Sequence, residues 1–196
     1  MAHVRKQMIS FFMTTKCNLD CIYCYTPKYK QIKPEDQSID LSFAKRGIDD
    51  FFRDNVSRYI RFYGIGEPTL EIEKIKEITH YARSLAGDEL YVELQSNGCF
   101  SESIRAWIAD NVNWLWISCD GPASIHDKQR PFRNGGGTAK KVETTIKSLQ
   151  GISSLTVGVR ATLMADMISK QRELVDYFES IGVRYINVLP VFAPEE

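Results

Sequence analysis

Apolar residues recur along this chain with two alternating periods. A period of two, typical of strands, falls at residues 7–14, 58–63, 89–96, 113–119, 154–163 and 184–190. A period of 3.6, typical of helices, falls at residues 41–55, 70–86, 102–111, 138–150 and 168–182. Strands separated by crossover helices pair in parallel, and repeated right-handed crossovers curl a sheet toward a barrel. We therefore predict an α/β fold, a partial (β/α)6 TIM-like barrel with parallel strands, formed as one domain over residues 1–196.

The two faces of the predicted strands differ in polarity, most clearly in the fourth strand. Its apolar face carries Leu115, Ile117 and Cys119, and its other face carries Trp114, Trp116, Ser118 and Asp120. The same parity places polar groups on the inner face of other strands: Arg61 with Tyr63, Glu93 with Gln95, Arg160 with Thr162, and Tyr185 with Asn187. A closed barrel fills its centre with branched apolar residues, so these positions predict an incompletely closed barrel with a wet, ligand-holding lumen. An open doubly wound sheet is the alternative.

Composition narrows the classes of function. The 196 residues, 43% of them hydrophobic, suffice for one domain with a sizeable core. Lys plus Arg number 25, as do Asp plus Glu, so the chain lacks the basic excess of most nucleic-acid binders and we expect no nucleic-acid partner. The apolar stretch at residues 8–13 is too short to span a bilayer, so we expect no membrane association and a cytoplasmic location. Cysteines in that compartment stay reduced and suit metal ligation.

Three cysteines follow the first predicted strand with the spacing C-x3-C-x2-C: Cys17, Cys21 and Cys24. Loops at the carboxyl ends of barrel strands are where catalytic groups of β/α barrels lie. Three thiolates can hold three irons of a four-iron cluster and leave the fourth iron open, whereas an electron-transfer cluster normally takes four cysteines. The alternative is a zinc site completed by one of the three histidines of the chain, His3, His80 or His126.

The cysteine loop, residues 17–25, resembles that of the radical S-adenosylmethionine (SAM) superfamily, specifically its peptide- and protein-modifying branch with the anaerobic sulfatase-maturating (SPASM-type) enzymes. The resemblance implies that Cys17, Cys21 and Cys24 bind a 4Fe-4S cluster and that SAM chelates the open iron. In the family, one electron then cleaves SAM into methionine and a 5′-deoxyadenosyl radical, while the protein supplies positioning and electrostatics. Tyr23 falls where the family packs the adenine; a core tyrosine is the competing interpretation.

The second strand runs into residues 62–70, which are similar to the family's Gly-Gly-Glu-Pro motif. The resemblance implies that Gly64, Gly66 and Glu67 receive the SAM ammonium group through backbone and carboxylate. Ile65 departs from the motif, because it occupies the first glycine position. Taken alone, this stretch also fits an ordinary strand-to-helix turn with Pro68 at the first helical position.

Motifs at the next two strand ends extend the resemblance. Residues 95–99 are similar to a Thr-Asn-Gly turn of the family, which places Asn97 at the cofactor. Residues 118–122 and 126–131 resemble the patterns Ser-x-Asp-Gly-Pro and His-Asp-x-x-Arg, which implies that Ser118 and Arg130 hold the SAM carboxylate. We expect His126 and Asp127 to order this loop rather than to transfer protons.

Three further positions have more open roles. In the sixth strand, Leu189 or Val191 occupies the position where the family lines the adenine. Cys119 shares parity with apolar residues and is expected to be a buried core thiol. Cys99 follows the third strand, where a substrate would lie, and is a candidate hydrogen donor or substrate contact.

The resemblance implies an enzyme that abstracts hydrogen from a peptide or protein residue and takes electrons from an external donor such as flavodoxin or ferredoxin. A radical SAM activase or small-molecule enzyme is one alternative, and a non-enzymatic iron–sulfur or zinc module is another. The sequence given stops soon after the sixth strand, so we expect a core without the C-terminal auxiliary domain of the branch. Only Cys99 and Cys119 remain for a second cluster, so we expect one cluster in these residues.

Overall fold

The computed structural model describes residues 7–24 and 38–191, in which six parallel strands form one sheet. Tyr25 of the cysteine motif and the segment after Val191 lie outside these ranges. The strands are β1 (Ile9–Phe12), β2 (Tyr59–Tyr63), β3 (Tyr91–Ser96), β4 (Trp114–Ser118), β5 (Thr156–Leu163) and β6 (Tyr185–Pro190). Each predicted strand is therefore present, and most are shorter than predicted because their ends continue as loops.

Helices connect the strands on the outer face of the sheet. They are α1 (Leu41–Asp54), α2 (Ile72–Ala86), α3 (Glu102–Asn111), α4 (Ala123–Gln129), α5 (Ala139–Leu149) and α6 (Gln171–Ser180). The sequence pattern did not predict α4, because seven residues hold too few turns for a 3.6-residue period to show. The predicted starts of α2 and α6 are instead 3-10 turns, Pro68–Glu71 and Ala165–Lys170.

The hydrophobic core lies between the outer face of the sheet and the helices. Leu115 and Ile117 are fully buried there and Cys119 nearly so, which confirms the predicted parity of β4. Ile60, Phe62, Val92 and Leu94 extend this buried face across β2 and β3. The helices contribute apolar stripes, such as Ala44, Ile48 and Phe52 of α1, since a sheet face and a helix stripe must each bury apolar area.

The order of strands in the sheet is β1-β2-β3-β4-β5-β6, the same as in the chain. A doubly wound sheet would reverse direction at a switch point, so this order excludes the open-sheet alternative. Within the described residues β1 and β6 each pair with one neighbour, so the barrel is partial and its lumen is open, as predicted. The described residues include no helix long and apolar enough to cross a membrane.

The inner face of the sheet changes from aromatic to polar between the amino and carboxyl ends of the strands. Near the amino ends, Trp114 lies between Trp116 and Tyr185, with ring centroids 5.3 and 4.9 Å away. Tyr59 and Tyr91 meet edge to face at 4.9 Å on the neighbouring strands. Toward the carboxyl ends the inner face becomes polar, and the loops that follow the strands carry the cysteine motif and the other predicted site residues. The lumen therefore has an aromatic floor and a polar rim.

Candidate functional site

A cavity of about 440 Å³ opens at the carboxyl ends of the strands. Cys17, Cys21 and Cys24 line it as partly exposed thiols outside any disulfide. The same wall contains almost all the other predicted site residues: Tyr23, Gly64, Gly66, Glu67, Asn97, Ser118, Arg130 and Leu189. Val191 follows β6, where its N–H donates to the Leu163 carbonyl, and it lies outside the cavity lining. Motifs distant in sequence thus converge on one cavity.

The glycines after β2 let the cysteine loop dock against this strand. The N–H of Gly66 donates to the Thr14 carbonyl at 3.1 Å, and the N–H of Glu67 donates to the Lys16 carbonyl at 2.7 Å. A Cβ on Gly66 would lie 2.2 Å from the Lys16 oxygen, whereas a Cβ on Gly64 would lie 3.2 Å from the Thr14 oxygen. The close approach that requires glycine at position 66 is therefore to the backbone of the cysteine loop.

A second set of contacts fixes the other end of the cysteine loop. The N–H of Asp20 donates to the Pro131 carbonyl at 2.9 Å, and the N–H of Ile22 donates to the Gln129 carbonyl at 3.0 Å. Leu19, between these residues and Cys17, is buried in the core. The loop is thus held between the end of β2 and the end of α4, so the thiols need little further ordering to bind a ligand.

The Glu67 carboxylate joins the ends of β2 and β3. It is 2% exposed, and its Oε1 accepts from the Thr69 N–H, the Thr69 hydroxyl and the Ser96 hydroxyl at 2.7–3.0 Å. Its Oε2 accepts from the Asn97 N–H at 2.7 Å. Burial raises the pKa of Glu67, and these donors act against that rise. An ionised carboxylate has about four acceptor positions, so Oε2, with one described donor, is the oxygen suited to an added cation.

Asn97 ties the β3 end to the cysteine loop. Its Nδ2 donates to Asn18 Oδ1 at 2.7 Å and lies 3.9 Å from Cys17 Sγ, while its Oδ1 accepts from the Cys99 N–H at 2.8 Å. The Asn18 contact spans 79 residues and has no local sequence signal, which is why the motif analysis missed it. The N–H donors around Cys17 Sγ suit an anionic sulfur.

Cys99, the candidate hydrogen donor or substrate contact, lies away from the described cavity lining. Cys99 is 5% exposed, packs in the hydrophobic core and lies outside the cavity lining. The turn closed by Asn97 Oδ1 fixes its backbone beside the cysteine loop, and Asn18 Nδ2 donates to its carbonyl at 3.1 Å. Burial raises the pKa of Cys99 to about 12, so the thiol is protonated near neutral pH.

A buried cluster around Asp120 orients Arg130. Asp120 Oδ2 accepts from Arg130 Nε at 2.8 Å and from the Tyr23 hydroxyl at 2.5 Å, and Oδ1 accepts from the Thr162 N–H at 2.8 Å. The Arg130 guanidinium lies 5.2 Å from the centroid of the Tyr23 ring, and its Nη1 is 4.0 Å from Cys21 Sγ. Asp120 lies behind Arg130, and its partners Tyr23, Arg130 and Thr162 line the cavity, as does Arg160.

Burial decides the protonation of this cluster. It raises the pKa of Tyr23, so the phenol keeps its proton and donates to Asp120. For Arg130 burial alone would lower the pKa, but the neighbouring groups, Asp120 first among them, together raise it and the guanidinium remains charged. The result is a fixed cation at the cavity wall, with the aromatic ring of Tyr23 against one face of it.

His126 and Asp127 have structural contacts, as predicted. His126 Nδ1 accepts from the Asp120 N–H at 3.1 Å, and its Nε2 lies 3.0 Å from the Thr138 hydroxyl, which donates to the Arg130 carbonyl at 2.6 Å. Burial lowers the pKa of His126 to about 4, so the ring is neutral and Nε2 carries the proton. Asp127 Oδ1 accepts from the Thr138 and Ala139 N–H groups and caps α5.

The cysteine thiols fit a cluster better than a single metal ion. In the ranges 7–24 and 38–191, no group of three His, Cys, Asp or Glu side chains has the arrangement of a single-ion site, so the zinc alternative gains no support. Three thiolates around a four-iron cube bind different irons and are farther apart than the ligands of one ion. Burial raises the pKa of Cys17, and raises that of Cys21 to about 11, so iron binding would displace thiol protons.

The model of the Radical SAM superfamily matches residues 11–165 of the chain. A cysteine-type anaerobic sulfatase-maturating enzyme of Clostridium novyi is 22% identical over 92% of this chain and 50% of its own length. An Fe-coproporphyrin III synthase of Methanosarcina barkeri is 25% identical over 89% of this chain and 41% of its own length. The chain spans about half the length of the curated relatives it matches.

The fold also matches solved structures. One, described as native anSMEcpe with bound AdoMet and Cp18Cys peptide, superposes with a TM-score of 0.77 at 23% identity. That match covers 96% of this chain and 52% of the other. At this identity the likeness shows the fold: a partial barrel with six parallel strands.

Substituting Gly66 tests how the cysteine loop docks. We expect Gly66→Ala to lower the free energy of unfolding by about 1–3 kcal/mol, because its Cβ overlaps the Lys16 carbonyl, and to reduce iron bound after reconstitution. Gly64→Ala is the matched control and should have a smaller effect, since its Cβ has more space. Urea unfolding and iron analysis measure both effects. Equal stability and iron content in the two variants would contradict the docking role of Gly66.

The neutral His126 ring predicts a pH dependence of stability. The folded-state pKa of about 4 lies below the unfolded value of 6.5, so below about pH 6.5 the unfolded chain gains a proton that the folded chain does not. The free energy of unfolding should therefore fall by about 3 kcal/mol from this group as pH drops from 7 to 4. Urea unfolding of His126→Gln should show a shallower pH slope, whereas His80→Gln, at an exposed position, should keep the wild-type slope. Identical slopes in all three proteins would refute the assignment.

Proposed function

The chain belongs to the radical SAM superfamily, and we propose that it cleaves SAM reductively at a 4Fe-4S cluster held by Cys17, Cys21 and Cys24. When bound, the cluster and SAM supply an electron and a 5′-deoxyadenosyl radical that abstracts hydrogen from a substrate. One observation carries the proposal: the three thiols open on the same cavity as the residues suited to the two charges of SAM, Glu67, Ser118 and Arg130.

The charges of the cavity wall match the amino acid part of SAM. Arg130, held by Asp120, presents N–H donors to a carboxylate, and Ser118 lines the same cavity with a hydroxyl. Glu67 Oε2 and the backbone at Gly64 and Gly66 suit the ammonium group. These groups are anchored by protein contacts before any ligand binds, so little ordering is needed on binding.

The remaining predicted contacts concern the adenosine part of SAM. Asn97 extends from the β3 end, while Tyr23 and Leu189 provide apolar surface on opposite parts of the cavity lining. Leu189 is the better of the two β6 candidates for the adenine contact, because it lines the cavity and Val191 does not. We assign the adenine to the surface formed by Tyr23 and Leu189.

A peptide or protein residue is the proposed substrate. The support is the sulfatase-maturating relative and the solved structure that contains a peptide. The coproporphyrin relative favours a small-molecule substrate as the second candidate. In the part of the chain that the structure describes, the lumen is open on the side between β1 and β6, which gives a peptide a route to the cavity. An external one-electron donor, such as flavodoxin or ferredoxin, would supply the reducing electron.

Anaerobic reconstitution tests the chemistry directly. We expect about four irons per chain and formation of 5′-deoxyadenosine from SAM with dithionite. Cys17→Ala, Cys21→Ala and Cys24→Ala should each lose the cluster and the nucleoside, because two thiolates rarely hold a four-iron cluster. Cys119→Ala is the matched control, since that thiol is buried in the core outside the cavity, and it should retain both. Wild-type protein that binds iron but yields no 5′-deoxyadenosine would refute the proposal.

Two conservative substitutions test the carboxylate contacts. Arg130→Lys keeps the positive charge but loses the planar fork, so we expect the Kd for SAM to rise about tenfold. Ser118→Ala loses one hydrogen bond and should raise the Kd for SAM about fivefold. Iron content should stay at the wild-type level in both variants. Arg133→Lys, at an exposed position on the same segment, is the control and should bind SAM normally. Calorimetric titration of reconstituted protein measures the Kd. Unchanged affinity in both variants would contradict the assignment.

A further inference from the structure

Two arginines in the cavity wall have no part in the proposed SAM contacts. Among the residues that the structure describes, the charged side chains of the lining are Arg61, Arg130, Arg160 and Glu67, three guanidinium groups and one carboxylate. Arg130 and Glu67 match the carboxylate and ammonium groups of SAM. Arg61 on β2 and Arg160 on β5 are not among these assigned residues, and Arg160 lies in register with Ser118.

These two guanidinium groups meet on one side chain. Arg160 Nη1 donates to Gln95 Oε1 at 2.6 Å, and Arg61 Nη2 donates to the same oxygen at 3.2 Å. Gln95 lies on β3, so arginines from strands on either side of it are brought together at its amide. Each guanidinium carries five N–H donors in a planar fork, which suits contact with more than one acceptor atom.

Arg61 is oriented from two sides. Its Nε lies 3.1 Å from Glu93 Oε1, and Glu93 also accepts a hydrogen bond from the Tyr59 hydroxyl. The guanidinium packs 4.6 Å from the centroid of the Tyr63 ring. Although the Nε–Glu93 distance is that of an ion pair, the buried Nε–H has no well-directed acceptor within the described ranges.

We propose that Arg61 and Arg160 form a carboxylate subsite, so that the substrate places an acidic group beside Gln95 in the lumen. The proposal rests on the proposed function, because it assigns Arg130 and Glu67 to SAM. Two guanidinium groups offer paired N–H donors that match the two oxygens of a planar carboxylate. Arg61 already shares its charge with Glu93, so the pair suits a singly charged carboxylate better than a phosphate with nearly two negative charges.

Matched peptides test this subsite. The probes are acetyl-Gly-Glu-Gly-amide and acetyl-Gly-Gln-Gly-amide, titrated calorimetrically into reconstituted full chain with SAM present. We expect the acidic peptide to bind at least about tenfold more tightly than its neutral partner. Gln95→Glu places a carboxylate between the two arginines without changing side-chain size, and should abolish that preference. Gln171→Glu, the same change at an exposed position, should preserve it.

Two further probes identify the chemistry of the ligand. If N-acetylglutamate binds as tightly as the acidic peptide, the carboxylate belongs to a small acid. If N-acetylglutamate binds more weakly than the acidic peptide, the carboxylate belongs to a peptide. Inorganic phosphate that binds more tightly than either would overturn the carboxylate assignment. Equal binding of the acidic and neutral peptides, or a preference that survives in Gln95→Glu, would also overturn it.

A separate assay on the same wild-type preparation tests the proposed function. It measures the 5′-deoxyadenosine formed from SAM and dithionite when no peptide is present. Selective carboxylate binding without nucleoside formation would refute SAM cleavage while supporting the subsite. Nucleoside formation without selective binding would refute the subsite alone.

Discussion

The buried carboxylate of Asp120 is the contact on which the site depends most. It accepts hydrogen bonds from Tyr23 of the cysteine loop, Arg130 at the end of α4 and the backbone of Thr162 on β5. Because Asp120 follows β4, one side chain connects four segments around the cavity. Removal of its charge would leave Arg130 buried without this partner, a loss that typically costs several kcal/mol. The same carboxylate therefore stabilises the rim and directs the guanidinium toward the cavity.

Glu67 has the corresponding role on the other side of the cavity. Its four donors come from the turn after β2 and the end of β3, and the adjacent Gly66 docks the cysteine loop. The two buried carboxylates thus hold opposite ends of the same loop region. Since both are satisfied by protein donors, the three thiols and the fixed charges around them are pre-organised for ligands that have charges of their own.

Periodicity and parity predicted the features that repeat along the chain: six parallel strands, the apolar outer face and the polar inner face. Motif resemblance predicted which loops converge on the cavity. Neither could predict α4, which is too short for a period, nor the place of Asp120 behind Arg130, which depends on how the chain turns after β4. The burial of Cys99 was not predicted, because a position just beyond a strand does not fix the direction of a side chain. The contact of Asn18 with Asn97 likewise depends on tertiary docking.

The sequential order of the strands has a consequence for how the site forms during synthesis. Each strand pairs with the preceding strand in the chain, so the sheet can grow in the order in which residues leave the ribosome. The cysteine loop gains its first anchor when residues 66–67 pair with residues 14–16, and its second when residues 129–131 arrive. Thr162 then completes the contacts of Asp120. The cysteines are made before the segments that hold them, so their binding pocket is complete only when most of the barrel has emerged.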